Sequence, residues 1–349
     1  MSEIHWPPNW PRVLEARFGT PPPGEYRATP EAFLVEELLD FAPEGQGEHL
    51  WLWVEKRDLT TPELVKRLAR ACEVRPRDIG YAGLKDRQAV TRQWLSVHLP
   101  GREAPEDLEA RLGETPVRLL EYHRHPRKLK RGVHKGNRFR LRLTGEACEA
   151  ADFDARWQAL IEQGVPNYFG PQRFGHEGRN LGRAEALLAR GWRKRADPEG
   201  LLLSATRSYL FNQLLARRIA EGNWARPLPG ELVILDGTAS QFLVETPDEE
   251  LLARAERLDL HPSGVLWGKG RLGSGDQAAE YEQALTTLAP ALCAGLEAAG
   301  VSLGRRALRL RLGNPSLQRD AGGVWLAFDL PRGGFATAVL RELISHPTL

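Results

Sequence analysis

Cysteine is scarce in this chain. Cys72, Cys148 and Cys293 lie far apart, and none belongs to a C-x-x-C pair. That spacing gives no support to a disulfide framework or a thiolate zinc site, and reads as three buried free thiols. Long hydrophobic runs are missing as well: no stretch approaches the roughly 18 to 20 apolar residues that a membrane span needs. The leading MSEIHWPPNWPRVLEARFG has no basic head followed by an apolar core, so no secretory signal shows and the expectation is a cytoplasmic protein. The familiar catalytic and phosphate motifs are also lacking. No G-x-x-x-x-G-K-[ST] loop occurs. Gly268, Gly270, Gly273 and Gly275 do not follow a strand and open a helix in the dinucleotide manner, and no G-x-S-x-G elbow is present. The nine histidines show neither H-x-x-x-H nor H-E-x-x-H spacing, so no metal is expected.

Net charge is small too, at +2, but it is unevenly distributed. Between Tyr122 and Arg142, YHRHPRKLKRGVHKGNRFRLR carries nine Lys or Arg and no acid, so the remainder of the chain has a net charge of about −7. Such clustering against an acidic background is the electrostatic footprint of a polyanion partner, although a solvated basic loop has the same composition.

The 349 residues suit two domains. Phe33-Leu34-Val35 and His49–Lys56 read as strands, the latter alternating in HLWLWVEK. A helix follows, with Thr61 as candidate N-cap, Pro62 at the first helical position and Glu63 in the first turn. Strands are expected around Ile79–Ala82, Gln93–Leu99, Val117–Tyr122 and Asn137–Leu143. In the last, Phe139, Leu141 and Leu143 share one face while Arg138, Arg140 and Arg142 share the other. ACEAADFDARWQALIEQG is expected to close the region as a helix. After Gly164 the texture becomes Gly-, Arg- and aromatic-rich, then helical. Strand patterns return from Ala307 in a tail of about forty residues, too short for its own core and expected to dock on the first sheet. Interleaved strands and helices with short strand-to-strand links point to an α+β fold.

One loop carries the candidate chemistry. In GYAGLKDRQAVTRQWL, a Gly-containing segment places Asp86 between Lys85 and Arg87. Alone, such an aspartate reads as an Asx-turn residue. Neighbours on an extended backbone face opposite ways, so Lys85 and Arg87 are placed to hold RNA while a distant cation pairs with Asp86 and keeps it ionised, as a nucleophile must be.

The stretch GYAGLKDRQAVTRQWLSV resembles the signature of the TruD family of tRNA pseudouridine synthases. Five further blocks resemble the family in the same order: RATPEAFLVEELLDFAPEGQGEHLWLWVEK, RKLKRGVHKGNRFRLRL, GVPNYFGPQRFG, SATRSYLFNQLLARR and LPRGGFATAVLRELI. The resemblance implies a pseudouridine-synthase fold, with a mixed, mainly antiparallel sheet flanked by helices and an inserted α+β TRUD domain. The expected division is 1–163 with 307–349 as the catalytic domain and 164–306 as the insertion. It also implies isomerisation of a tRNA uridine, typically at position 13, without cofactor or metal. Asp86 falls at the family's catalytic aspartate. Arg27 falls where the family carries a basic residue, commonly Lys, and Asn137 and Phe139 match its Asn and aromatic positions. Lys85 is the remaining candidate support. Ala32 departs from an acid often found before the Phe.

Arg87, Lys128, Lys130, Arg131 and Lys135 are the candidate phosphate contacts, with Arg173 and Arg207 in the inserted blocks either gripping RNA or buttressing the fold. Phe139 suits stacking on an extruded base, against the alternative of core packing beside Leu141 and Leu143. Nothing demands more than a monomer. Two other functions share these features: a non-catalytic RNA-binding protein or RNA chaperone, and a glycosylase that cleaves the same bond without rejoining it.

Overall fold

The alternation in HLWLWVEKR produces β3 (His49–Arg57), with Leu50, Leu52 and Val54 directed into a core and Trp51 and Trp53 on the opposite face. In the computed structural model, which describes residues 2–113 and 116–349, β3 lies near one end of a nine-stranded sheet. The other strands are β1 (Glu25–Tyr26), β2 (Phe33–Leu38), β4 (Ile79–Tyr81), β5 (Val90–His98), β6 (Val117–His125), β7 (Gly136–Thr144) and the two C-terminal strands Gly313–Asp320 and Gly323–Pro331. From one edge the order is Gly313–Asp320, Gly323–Pro331, β7, β2, β5, β3, β6, with β1 also on β7 and β4 also on β5. Only β2 and β5 run parallel; the remaining ladders are antiparallel. This is the mixed, mainly antiparallel α+β sheet expected.

Helix Thr61–Ala71 covers one face. Leu64, Val65 and Leu68 pack with Leu50, Leu52, Val54, Leu95 and Val97. Its N-cap is Thr60 rather than Thr61. Thr60 Oγ1 accepts from the Glu63 N–H at 3.3 Å, and Glu63 Oε2 accepts from the Thr60 N–H at 3.0 Å, a complete capping box. The one-residue difference frees the Thr61 hydroxyl for the loop described below. On the opposite face, Trp51, Trp94, Ala82 and Leu129 form a second cluster. Gly80 permits this approach, because a Cβ there would lie 2.3 Å from the Leu129 carbonyl oxygen.

The chain divides into two compact units, which do not coincide with the expected division. The sheet unit is Gly24–Cys148 with Gly313–Gly333; the other is Met1–Pro23, Glu149–Leu312 and Gly334–Leu349. Helix Phe153–Gln163, expected to close the sheet domain, belongs to the second unit. Arg156 from this helix donates to the Phe18 and Gly19 carbonyls, and Val165–Pro166 just beyond it pairs with Arg309–Leu310. The chain ends join there as well: Arg341 donates to the Trp10 carbonyl, Glu342 Oε2 accepts from the Leu14 N–H, and Ser345 Oγ donates to the Pro21 carbonyl. The expected forty-residue tail is therefore split. Only residues 313–333 extend the sheet, and the short strand at Arg309–Leu310 lies outside it.

The second unit is mainly helical, with helices Arg179–Ala189, Leu201–Ala220, Asp276–Leu288 and Pro290–Ala298 around a core containing Phe174, Tyr209, Phe211, Leu285 and Leu292. Among the described residues no helix is long and apolar enough to cross a membrane. All three cysteines are buried, and none is in a disulfide.

Candidate active site

The loop between β4 and β5 alternates in exposure: Leu84 and Asp86 face solvent, while Lys85 between them is buried. Lys85 Nζ lies 2.7 Å from Glu37 Oε2, with the two side chains 4% and 0% exposed. Its backbone N–H donates to Thr61 Oγ1 at 3.0 Å, and the Thr61 hydroxyl donates to Gln93 Oε1 at 2.9 Å. Glu37 Oε1 also accepts from the Trp94 N–H. Burial pushes the Glu37 carboxyl upward, and Lys85 opposes that shift. Lys85 is thus a buried anchor, and the expectation that it holds RNA is corrected: its ammonium is enclosed with a carboxylate. His134 flanks the same loop near Gly83. Burial, then Lys85 and Arg332, push its imidazole down to about 4.

The anchored loop presents Asp86 to Arg27. Arg27 Nη2 donates to Asp86 Oδ2 at 2.9 Å, with side-chain exposures of 24% and 50%. The guanidinium also lies over the Phe33 ring, 3.9 Å from its centroid. Arg27 follows β1, which pairs with the end of β7, and its φ is +60°. Asp58 is left-handed too, at +44°. These two residues, with Asp86, Arg87 and Gln88, line an open pocket of about 520 Å³. Non-glycine residues held in that region cost free energy and concentrate at functional sites. Arg87 reaches Asp58, with Nε 3.4 Å from Oδ1.

A second cation, Lys56, approaches Asp86 from the core. It is fully buried on β3, and its Nζ donates to the Asp86 carbonyl at 3.0 Å and to the Leu59 carbonyl. Burial pushes the ammonium down to about 8, while Asp86 acts in the opposite direction. Sequence reading missed both Lys56 and Glu37. Parity was the available signal: Lys56 follows Leu50, Leu52 and Val54 on the buried side of β3, and Glu37 follows Phe33 and Val35 on the buried side of β2.

Sheet register connects these groups to β7. Lys56 pairs with Thr91, Thr91 with Val35, Val35 with Phe139 and Phe139 with Phe328, one row on one face. Phe139 is 7% exposed, stacked on Phe328 at 5.6 Å and edge-on to Phe33 at 6.4 Å. It continues the aromatic surface that carries Arg27. Asn137, two residues earlier and on the same face, pairs in register with Glu37. Its Oδ1 is buried without a hydrogen-bond partner among the described residues, as is Arg27 Nε.

The basic segment divides by use. On β7, Arg138 forms a fork with Asp329 at 2.8 and 3.0 Å, Arg142 forms one with Asp320, and Arg140 lies over Trp325. These arginines bind the neighbouring strands together, so this end of the basic segment is engaged within the sheet. Lys128 donates to the Arg77 carbonyl, and Arg131 donates to the Tyr81 hydroxyl at 2.7 Å. Lys130, Arg131 and Lys135 are exposed.

In the helical unit, Arg207 donates to the Trp267, Leu266 and Ser302 carbonyls. Those contacts make it a buttress, not an RNA contact. Arg173 donates to Ser204 and lies 5.7 Å from the centroids of Phe169 and Phe335.

Comparison with known proteins identifies relatives of this arrangement. The family model of tRNA pseudouridine synthase D (TruD) matches residues 19–197 and 198–343. The tRNA pseudouridine synthase D of Chromohalobacter salexigens is 61% identical, covering 100% of both chains. That of Pseudomonas putida is 49% identical, covering 91% of this chain and 90% of its own. A crystal structure from Methanosarcina mazei, assigned to tRNA pseudouridine synthase D, has the same fold, with a TM-score of 0.67 at 20% identity over 93% of this chain and 94% of that one.

Proposed function

The chain belongs to the TruD family of tRNA pseudouridine synthases, and from that premise we propose that it isomerises the uridine at position 13 of tRNA with Asp86 as catalytic carboxylate. The observation that carries the assignment is the Asp86 carboxylate, anchored from behind and paired at 2.9 Å with Arg27 on an open pocket. The sheet unit is read as the catalytic domain and the helical unit as the TRUD insertion, in a cytoplasmic monomer.

The reaction breaks the N1–C1′ bond, turns the uracil, forms a C5–C1′ bond, and releases the C5 proton while N1 takes one up. It is an isomerisation, so its balance requires neither oxidant nor reductant. Attack of the carboxylate on C1′, removal of the C2′ proton to give a glycal, and addition to C6 each require an ionised Asp86. Arg27 supplies the counter-charge. The target must leave its stack at a cost of a few kcal/mol. The aromatic row ending at Phe139 offers a surface against which the extruded base is held. The buried Asn137 Oδ1 is an acceptor suited to the uracil N3–H. Arg87, Lys128, Lys130, Arg131 and Lys135 are read as contacts to the phosphate backbone, with Arg173 a further RNA contact from the helical unit.

The test uses tRNA tritiated at uridine C5. The wild type is expected to release label and leave the strand intact; Asp86→Asn is expected to release none, and replacing uridine 13 by cytidine to abolish release. Free uracil would identify a glycosylase. Binding without release from any tRNA would leave an RNA-binding protein of this fold.

A further inference from the structure

A lysine at the buried parity of a strand requires an explanation, because an ammonium loses several kcal/mol of hydration on burial unless something compensates. Lys56 is 0% exposed, and its ammonium donates to two carbonyl oxygens, those of Leu59 and Asp86, rather than to a carboxylate. Both carbonyls belong to segments that shape the pocket: Leu59 follows pocket residue Asp58, and Asp86 is the proposed catalytic residue. Thr91, its register partner on β5, has a buried hydroxyl with no partner among the described residues, so this part of the sheet face is polar where packing alone would favour an aliphatic residue.

We infer that Lys56 is a positioning residue of the isomerisation, whose buried ammonium clamps the Asp86 and Leu59 backbones together and sets the reach of the Asp86 carboxylate into the pocket. The loop is then fixed at successive residues by two lysines from different strands and loops. Lys85 pins its own position through Glu37, and Lys56 pins the next one through a carbonyl. With its backbone held, Asp86 keeps its side chain outward. Arg27 holds that side chain from the pocket, so Asp86 lies between one cation on its carboxylate and another on its backbone. The arrangement limits a nucleophile to small excursions, the condition under which a near-attack geometry is maintained. An apolar residue would fill the same volume without supplying either hydrogen bond. The low-dielectric surroundings that strengthen the clamp also depress the ammonium to about 8, so it weakens within an accessible pH range. The charged groups bearing on Lys56 are Asp86, Lys85 and, from helix Thr61–Ala71, Glu63.

The inference rests on Asp86 being the catalytic carboxylate, and single-turnover tritium release from C5-labelled tRNA separates the two claims. If the wild type releases no label, the function fails. If it does and Lys56 is dispensable, only this inference fails. Lys56→Met is expected to lower kcat on the order of 10²-fold, the size associated with a reacting group displaced by about 1 Å, with KM within about twofold. Lys56→Gln keeps one amide donor without the charge and is expected to fall between wild type and Lys56→Met. It also decides the matter if Lys56→Met fails to fold. The wild-type rate is expected to decline above pH about 8, and that decline to be absent from the residual activity of Lys56→Gln. Wild-type kcat in Lys56→Gln, a rise in KM equal to the fall in kcat, or an unchanged alkaline decline would each overturn the assignment.

Discussion

Arg27 and Asp86 meet across 59 residues of sequence, with Nη2 donating to Oδ2 at 2.9 Å while the same guanidinium rests 3.9 Å from the centroid of Phe33. The contact therefore has an electrostatic part and a planar part, and the two can be separated. Arg27→Lys keeps the charge but loses the fork and the stacking, and its single-turnover rate is expected to fall by about tenfold. Arg27→Met removes both and is expected to lose on the order of 10² to 10³, the range for one preorganised donor at a reacting centre. Equal rates for Arg27→Met and wild type would remove Arg27 from the chemistry.

Glu37 and Lys85 form the buried pair beneath the loop. Removing one member strands the other charge, so Glu37→Gln is expected to destabilise the sheet unit by roughly 3 to 5 kcal/mol. Calorimetry should show its transition shifting down by several degrees, with the helical unit little changed. The double variant Glu37→Gln, Lys85→Met is expected to recover part of that loss, because no uncompensated ion remains. A double variant less stable than the single would contradict the pairing.

Acid stability follows from His134. Its folded imidazole takes a proton only near pH 4, whereas an unfolded histidine does so near 6.5. Between these values the unfolded chain binds more protons, so stability falls as pH drops from about 6.5 towards 4 and is insensitive to this group above 6.5. The two values correspond to roughly 3 kcal/mol. Denaturant melts of His134→Gln across that window are expected to show a flatter dependence than wild type; parallel curves would refute the assignment.

Salt dependence distinguishes the two classes of basic residue. Lys130→Gln and Lys135→Gln are each expected to reduce the slope of log K against log[salt] for tRNA binding by about 0.7 to 0.9. Arg138→Gln and Arg142→Gln, whose forks lie on Asp329 and Asp320, are expected to leave the slope unchanged and lower stability slightly instead. The reverse pattern would place the strand arginines on the RNA.

This division also shows what sequence reading reaches. The alternation of β7 was legible, because Phe139, Leu141 and Leu143 against three arginines is a period-two pattern of hydrophobicity. The partners of those arginines were not: Asp329 and Asp320 arrive 191 and 178 residues later, and nothing local selects among distant acids. Asp86 became a candidate only through the company of other motifs, since its loop alone reads as a turn. The cap at Thr60 was misplaced by one residue because adjacent threonines satisfy the same preference. Their side chains divide the work, one closing the helix and the other holding Lys85. Lys56 and Glu37 were overlooked on strands whose pattern was otherwise read correctly, because a charged residue at a buried parity looks like an interruption until its partner is known.

The route of the chain through the sheet has a consequence during synthesis. β7 receives its neighbour Gly323–Pro331 only after residues 149–312 have been made, which at 5 to 20 residues per second takes on the order of ten seconds. For that interval the growing chain carries an unfinished edge lined with Phe139, Leu141 and Leu143, the kind of template on which nascent chains aggregate. Arg138, Arg140 and Arg142 occupy the alternate positions of the same strand, still without the acids and the tryptophan that later cover them. On the ribosome they are gatekeepers that keep an open edge soluble; in the finished protein the same three side chains become the rivets that close it.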